Sequence, residues 1–273
     1  MNNSIKNVVI RLMGALMLIA AYVPASAQTW DEPVITFKTN IYDSYGESNQ
    51  FSLVIGTVDS LQYIDVDCGY GKVEYVTQQA RIDSLSQIGG TYIECQVSKE
   101  GLVKIYGDPA QIDYLNASGC YISWIEFSNP EYIDILDLSH NELESLDLSA
   151  MTNVQALYLS DNKFTAATPL KIGGNKPNLK ILEMNTIDYL DESFNLSDYP
   201  ALISFDGYHN LGLKKCDPTG CPNLLRLTLD VTPVETIDVS KNGNLMILNV
   251  SNTRITNLDV SHNPYLIQLY CDH

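Results

Sequence analysis

The chain has 273 residues, 45% of them apolar, which is ample core material for one long unit or two smaller ones. Its 33 acidic and 16 basic residues give a formal net charge of −17. Such a surface repels nucleic acid and anionic membrane, so neither is an expected partner. Solubility outside the cell accounts for the acidity; calcium or a basic protein partner are the sharper alternatives.

Lys6 and Arg11 precede an apolar run from Leu12 to Val23, closed by Ala25-Ser26-Ala27 as an A-x-A cleavage site. The run is too short and wrongly flanked for a membrane span. Residues 1–27 therefore read as a secretory signal peptide. The protein is expected to be exported, whether secreted, periplasmic or held at the cell surface, with no segment inserted in membrane. Cleavage removes Lys6 and Arg11 and no acid, taking the net charge from −17 to −19.

From Val34 to Gly107 the apolar period is two. VITFK, FSLVIG, LQYIDVD, KVEYV, TYIECQV and LVKIYG are short β-branched or aromatic runs separated by turn residues such as Gly89-Gly90. This pattern predicts a small antiparallel β-sandwich over residues 28–107. At that size it is marginal alone and should pack on the rest of the chain.

From residue 108 onward the sequence repeats. The first strand leucine falls at Leu115, Leu136, Leu157, Leu182, Phe205, Leu227, Leu248 and Leu269, at spacings of 21, 21, 25, 23, 22, 21 and 21. Three residues earlier stand Ile112, Ile133, Val154, Leu179, Leu202, Leu224, Leu245 and Leu266. An offset phrase recurs as Ile125-Glu-Phe-Ser, Leu146-Asp-Leu-Ser, Phe194-Asn-Leu-Ser, Ile237-Asp-Val-Ser and Leu258-Asp-Val-Ser, with Cys216-Asp-Pro-Thr as a disturbed copy. Such L-x-x-L-x-L-x-x-N spacing is the mark of a leucine-rich-repeat solenoid. The expected fold is mainly β with few helices, about seven full repeats and a truncated last one over 108–273. No coil can bury its leucines alone, so neighbours must stack.

Five residues after each strand leucine comes the slot whose side chain bonds the turn backbone. It reads Cys120, Asn141, Asn162, Ile187, Asn210, Thr232 and Thr253, and Ile187 breaks the rule. The insertion from Thr165 to Lys176 reads as a loop on one edge, a common place for function. After His273 the Asn slot would follow, so the array stops without a polar cap; the expectation is a fragment of a longer protein.

Six cysteines follow the leader. An exported chain permits disulfides. Cys120 and Cys271 fall in inward slots. Cys216 and Cys221 flank a Pro-Thr-Gly turn, and two readings stay open: a bridge between them, or a buried thiol at Cys216. The absence of any C-x-x-C pair argues against a metal–thiolate site.

The repeats resemble those of secreted bacterial leucine-rich-repeat proteins, especially the 21-residue L-x-x-L-x-L-S-x-N-x-L-x-x-L-D-L-S type of Bacteroides-like bacteria, distantly similar to internalins. Phe37-Lys-Thr-Asn40 and Val103-Lys-Ile-Tyr-Gly-Asp108 match the usual opening and closing phrases of that family's sandwich. Val66-Asp-Cys-Gly-Tyr-Gly-Lys72 matches a V-D-W-G-D-G-K turn, with Cys68 in place of Trp and Tyr70 in place of Asp. The resemblance implies cell-surface or secreted binding without shared catalytic residues.

No H-E-x-x-H, G-x-S-x-G or glycine-rich phosphate loop occurs, and the acids recur at repeat spacing as solvated rows. The reading is therefore a non-enzyme that takes no cofactor and no metal. Within each L-x-L strand the middle residue points outward. Two outward rows supply the candidate ligand-binding residues: Asp137, Tyr158, Glu183, Asp206, Thr228, Asn249 and Tyr270 in one, Tyr208 and Asp230 in the next. Across seven strand gaps they span roughly 34 Å. Concave faces of this kind are the usual binding surfaces of solenoids. The expected role is recognition of an extracellular protein, with a basic surface as the first candidate. The alternatives are a glycan stacked on Tyr158 and Tyr208, or a structural spacer in an adhesin.

Overall fold

The structure, a computed structural model, describes residues 30–41, 49–83, 86–174, 176–187, 189–190 and 194–272, without the side chains of 80–88. The expected signal peptide at residues 1–27 lies outside the described residues. Among those described, no helix is long and apolar enough to cross a membrane.

Pro33 to His273 form one compact unit. Its first strands, β1 (Ile35–Thr39), β2 (Gln50–Thr57), β3 (Tyr63–Asp67) and β4 (Lys72–Val76), fall on the alternating runs read in the sequence. So do β7 (Thr91–Gln96) and β8 (Leu102–Tyr106). Two more, β5 (Gln78–Asp83) and β6 (Ser86–Gly89), carry QQARID and SQIG, too polar to signal strands by period. Then come β9 (Ile112–Asn116) and β10 (Ile122–Phe127), followed by the repeat strands β11 (Ile135–Asp137), β12 (Ala156–Tyr158), β13 (Ile181–Glu183), β14 (Ser204–Asp206), β15 (Arg226–Thr228), β16 (Ile247–Asn249) and β17 (Gln268–Tyr270). Among the described residues, short 3-10 turns stand at Pro130–Tyr132 and Leu196–Asp198.

These strands make two sheets. Five form a sheet in the order β10-β1-β8-β3-β4. The other has twelve strands and runs from β17 down to β11, then β9, β2, β5 and β6, with β7 also on β2. Pairing is parallel from β9 to β17 and turns antiparallel where β9 meets β2. The antiparallel portion and the coils therefore share hydrogen-bonded sheets. The first repeat divides between them, its β9 lying in the long sheet and its β10 pairing antiparallel with β1. Inward side chains of the two sheets meet, as in the Phe37–Phe51 ring pair at 6.0 Å. The Cys68–Cys95 disulfide links the end of β3 to β7, and so one sheet to the other.

Alternation within each L-x-L strand sends its leucines into one continuous core. Leu136, Leu138, Leu157, Leu159, Leu182, Phe205, Leu227 and Leu248 are all fully buried there. At the end of each strand the chain reverses through a left-handed residue: Gly119, His140, Asp161, Thr186, His209, Val231 and Asn252 all have positive φ. The next residue is the polar slot. Asn141 Nδ2 donates to Ala117 O at 2.9 Å and Leu138 O at 3.0 Å, so one amide ties its own coil to the preceding one. Asn162 does the same to Leu138 and Leu159, and Asn210 to Met184 and Gly207. Thr232 and Thr253 reach only their own coil. Ile187 lacks a donor, and its N–H instead donates to Asn210 Oδ1 at 2.7 Å.

A second inner ladder runs through residue types that share no sequence signature. Lys176 Nζ donates to Leu148 O at 2.8 Å and Met151 O at 2.9 Å. One coil on, Tyr199 Oη donates to Gly173 O at 3.0 Å, and then Cys221 Sγ to Leu196 O at 3.1 Å. Asn242 and Asn263 complete the series, each donating to two carbonyls of the coil before. Lys, Tyr, Cys, Asn and Asn do the same work because the turn carbonyls need a donor and any side chain of suitable reach supplies it. Lys176 is fully buried; that burial pushes its ammonium down to about 8.

Three expectations are corrected here. Cys216 and Cys221 form no bridge: both are buried free thiols, and Cys221 spends its sulfhydryl on the ladder. Cys271, read as inward, is exposed, because no described coil packs over β17. The segment Thr165 to Lys176 is not simply an edge loop. Leu170 and Ile172 are buried, and Leu148 N–H donates to Lys171 O at 2.9 Å, so 170–172 supply the offset phrase of that repeat. The inserted residues flank this phrase and hid it from the periodicity.

The offset Asp residues are also local devices. Ser149, Thr219, Ser240 and Ser261 each donate a backbone N–H to the Asp two residues earlier, at 2.9 to 3.0 Å. These serines and threonine brace their own turns rather than joining neighbours.

Candidate binding face

Parallel register sets Asn116, Asp137, Tyr158, Glu183, Asp206, Thr228, Asn249 and Tyr270 in one line across the outer face of the long sheet. Tyr208 and Asp230 follow in the next row: Thr186 N–H donates to Tyr208 O, and His209 N–H to Asp230 O. All nine candidate residues therefore lie on one face. They are not equally available. Tyr208 and Tyr270 are exposed, whereas Asp137, Tyr158, Glu183, Asp206, Asp230 and Asn249 are half-buried. Thr228, read as outward and open, is 7% exposed because Arg226 Nε sits 3.4 Å from its hydroxyl.

Arg226 was not among the residues read from the sequence. It belongs to a third outward row just before the strand leucines, formed by Tyr114, Ile135, Ala156, Ile181, Ser204, Arg226, Ile247 and Gln268. The first four of these make a small apolar cluster of their own, separate from the main core, with Val54 and Tyr158 packed against it. The signal was available: these positions lie two before the outward row already recognised, and strand period returns them to the same face.

The centre of the face is electrostatically mixed. Arg226 Nη2 lies 3.3 Å from Asp206 Oδ2. Burial raises the Asp206 carboxyl above the usual carboxylate range, against the lowering effect of the Tyr208 N–H, Arg226 and Asn185. Glu183 is raised chiefly by burial and further by the neighbouring Asp206 charge. Tyr208 and His209 stand with ring centroids 5.8 Å apart. Polar cross-links stiffen the rim: Ser118 Oγ to Ser139 Oγ at 2.9 Å, Asn252 Nδ2 to Asp230 at 3.0 Å and Ser251 Oγ to Asp272 at 2.6 Å.

Along the opposite margin Lys180 Nζ donates to Gln155, and Gln155 Nε2 to Asp134, both at 2.8 Å. Asp113 continues this row with a buried oxygen that has no hydrogen-bond partner. Burial, then the Asp134 charge, push its carboxyl from 3.8 up to about 6. The ionised form is disfavoured in the fold, so stability rises as pH falls from above 6 toward 4. Asp134, Glu183 and Asp206 are shifted the same way. Asp113→Asn is expected to raise stability at pH 7 by on the order of 1 kcal/mol, allowing for solvent screening. Thermal melts at pH 7 and pH 5 check this: the variant's pH slope should shrink, and an undiminished slope would contradict it.

Among the described residues no group of three His, Cys, Asp or Glu stands close enough to hold a metal ion. His140 pairs with Asp161 at 2.9 Å on the exposed turn. The arrangement offers a shaped, mostly acidic surface with aromatic and apolar ground between the charges.

By fold the chain is a leucine-rich-repeat solenoid preceded by a small antiparallel sheet. No protein-family model matches it, nor does any curated protein. Among solved structures it is similar to the functional domain of InlJ from Listeria monocytogenes, described as including a cysteine ladder. That similarity is at 23% identity and a TM-score of 0.47, covering 65% of this chain and 42% of that one. A leucine-rich-repeat protein of Leptospira interrogans is similar at 20% identity and a TM-score of 0.38, over 52% of this chain and 44% of that one. The chain thus matches less than half the length of either.

Proposed function

We propose that this is a non-enzymatic, exported recognition protein that binds another protein through the outer face of its parallel sheet. In this reading residues 28–107 act as a cap on the array of 108–273, and residues 1–27 direct export. The observation that carries the proposal is the alignment of Asp137, Tyr158, Glu183, Asp206 and Tyr208 on adjoining strands of one open face. Tyrosine supplies contact area with a polar tip, and fixed carboxylates orient a basic partner during encounter. The partially desolvated Glu183 and Asp206 strengthen that attraction, since charges at a drier surface are screened less.

A glycan ligand is the second reading, favoured by the exposed ring of Tyr208. Salt separates the two, because charge-led protein contacts weaken with ionic strength while ring stacking does not. The test is a binding screen of the purified protein against extracellular proteins and glycans, beside a variant with Tyr158, Asp206 and Tyr208 changed to Ala. The expected result is at least a tenfold loss of affinity with an unchanged melting temperature. Equal binding by both proteins would overturn the assignment to this face.

A further inference from the structure

The two offset phrases that begin the array do not stay together. Glu142 N–H donates to Ile122 O at 2.8 Å, so β10 and the next coil start side by side. Beyond that point β10 follows β1 into the five-stranded sheet, while Leu146–Leu148 stays with the stack. One coil further on, the equivalent segments are joined, Leu148 N–H to Lys171 O at 2.9 Å and Lys171 N–H to Leu146 O at 3.0 Å. Where β10 diverges, a cleft of about 490 Å³ opens. Its walls are Trp124 and Phe127 on β10, Leu146 and Met151 on the coil, and Pro169 and Lys171 from the segment after Thr165.

β10 is the terminal strand of its sheet. Ser128 N–H donates to Val34 O at 2.9 Å, which fixes the parity of the β1–β10 ladder. Residues 124, 126 and 128 turn their backbone groups to β1, and Ile125 and Phe127 turn theirs to the cleft. An edge of this kind is a template for an added strand. Little blunts it: β10 contains no Pro or Lys, its bulge at Ser123 lies before the 124–127 stretch that stays in register with β1, and Glu126 is its one charge. The turn that roofs the cleft is held firmly, with Thr168 Oγ1 donating to Glu144 O at 2.7 Å and lying 2.8 Å from Thr165 Oγ1.

We propose that the cleft between β10 and Leu146–Leu148 binds an extended, basic segment of a partner protein as an additional strand on β10. Backbone groups of Ile125 and Phe127 would pair with the incoming strand, and Leu146 and Met151 would receive its apolar side chains. Charge selects the partner. Glu126 and Asp147 line the cleft, Asp147 with Lys171 Nζ at 3.9 Å, and the chain as a whole carries −17, which attracts a basic segment and repels a second copy of this protein.

The test uses a panel of labelled octapeptides alternating Lys with Val, Ile, Tyr or Thr, titrated into the full chain and followed by fluorescence anisotropy. Saturable binding is expected, with slowed amide exchange at Ile125 and Phe127. N-methylation of alternate residues along one peptide edge should abolish binding, and along the other edge should leave it intact. Ala167→Phe, at an exposed position lining the cleft, should weaken binding at least tenfold. The variant lacking Tyr158, Asp206 and Tyr208 on the sheet face should bind the peptides normally. Failure of the whole panel at low salt would overturn the proposal. So would equal tolerance of both methylated edges, which would reduce the attraction to charge alone. Loss of peptide binding in the sheet-face variant would place the peptides on that face instead.

Discussion

Asn210→Ala is expected to destabilise the protein by about 3 to 5 kcal/mol. The side chain is fully buried and makes three bonds: Nδ2 to Met184 O at 2.7 Å and Gly207 O at 3.1 Å, and Oδ1 from Ile187 N–H at 2.7 Å. Alanine leaves two carbonyls and an amide buried without partners, each costing about 1 to 3 kcal/mol. No neighbour can take over, because the preceding slot holds Ile187. Thr253→Ala removes a 2.7 Å bond to Val250 O and a long 3.4 Å bond from Ile255 N–H in a partly exposed turn, and should cost about 1 kcal/mol. Urea unfolding of the two variants checks the ordering. An Asn210→Ala loss no larger than that of Thr253→Ala would mean that the ladder does not hold the coils.

Replacing Cys68 and Cys95 together by Ala is expected to cost about 3 to 4 kcal/mol, chiefly by freeing a loop of the unfolded chain. The bridge spans 27 residues with Cα atoms 6.1 Å apart. It is also a cross-link between the two sheets. Amide exchange should rise in β3, β4 and β7 and remain unchanged from β12 to β16, since coils sense only their neighbours. Intact protein should lose this margin on reduction with dithiothreitol, and the double variant should not respond. Equal melting temperatures for both proteins without reductant would contradict the prediction.

How far the sequence disclosed this structure depended on how often each feature was repeated. The parallel strands were legible because a leucine out of phase cannot be buried, so each coil restates the spacing. The Asn slot was legible for the same reason. The second ladder was not: Lys176, Tyr199, Cys221, Asn242 and Asn263 share a duty but not a residue type. A carbonyl fixes where a donor must be and leaves open which side chain brings it. That freedom also left the Cys216–Cys221 pairing undecided, since a thiol serves equally as a ladder donor. Strands β5 and β6 were missed because polar side chains carry no alternation. The apolar ground of the binding face, Tyr114, Ile135, Ala156 and Ile181, was missed because apolar residues beside a strand leucine look like core rather than surface.

The Cys68–Cys95 bridge was unforeseen for a different reason. Pairing of two isolated cysteines depends on how two sheets face each other, which neither strand's own pattern records. The lining of the cleft has the same origin. Its walls come from β10 and from residues 145–151 and 167–171, and only the divergence of β10 toward β1 makes them a site.

The central claim is that recognition runs through the outer face of the parallel sheet. Its most direct test is hydrogen–deuterium exchange on the full chain, with and without the tightest ligand from the screen. Protection is expected across the strand ends from β11 to β15, centred on Tyr158, Glu183, Asp206 and Tyr208. Protection absent from those strands would contradict it, whether exchange slowed elsewhere or nowhere.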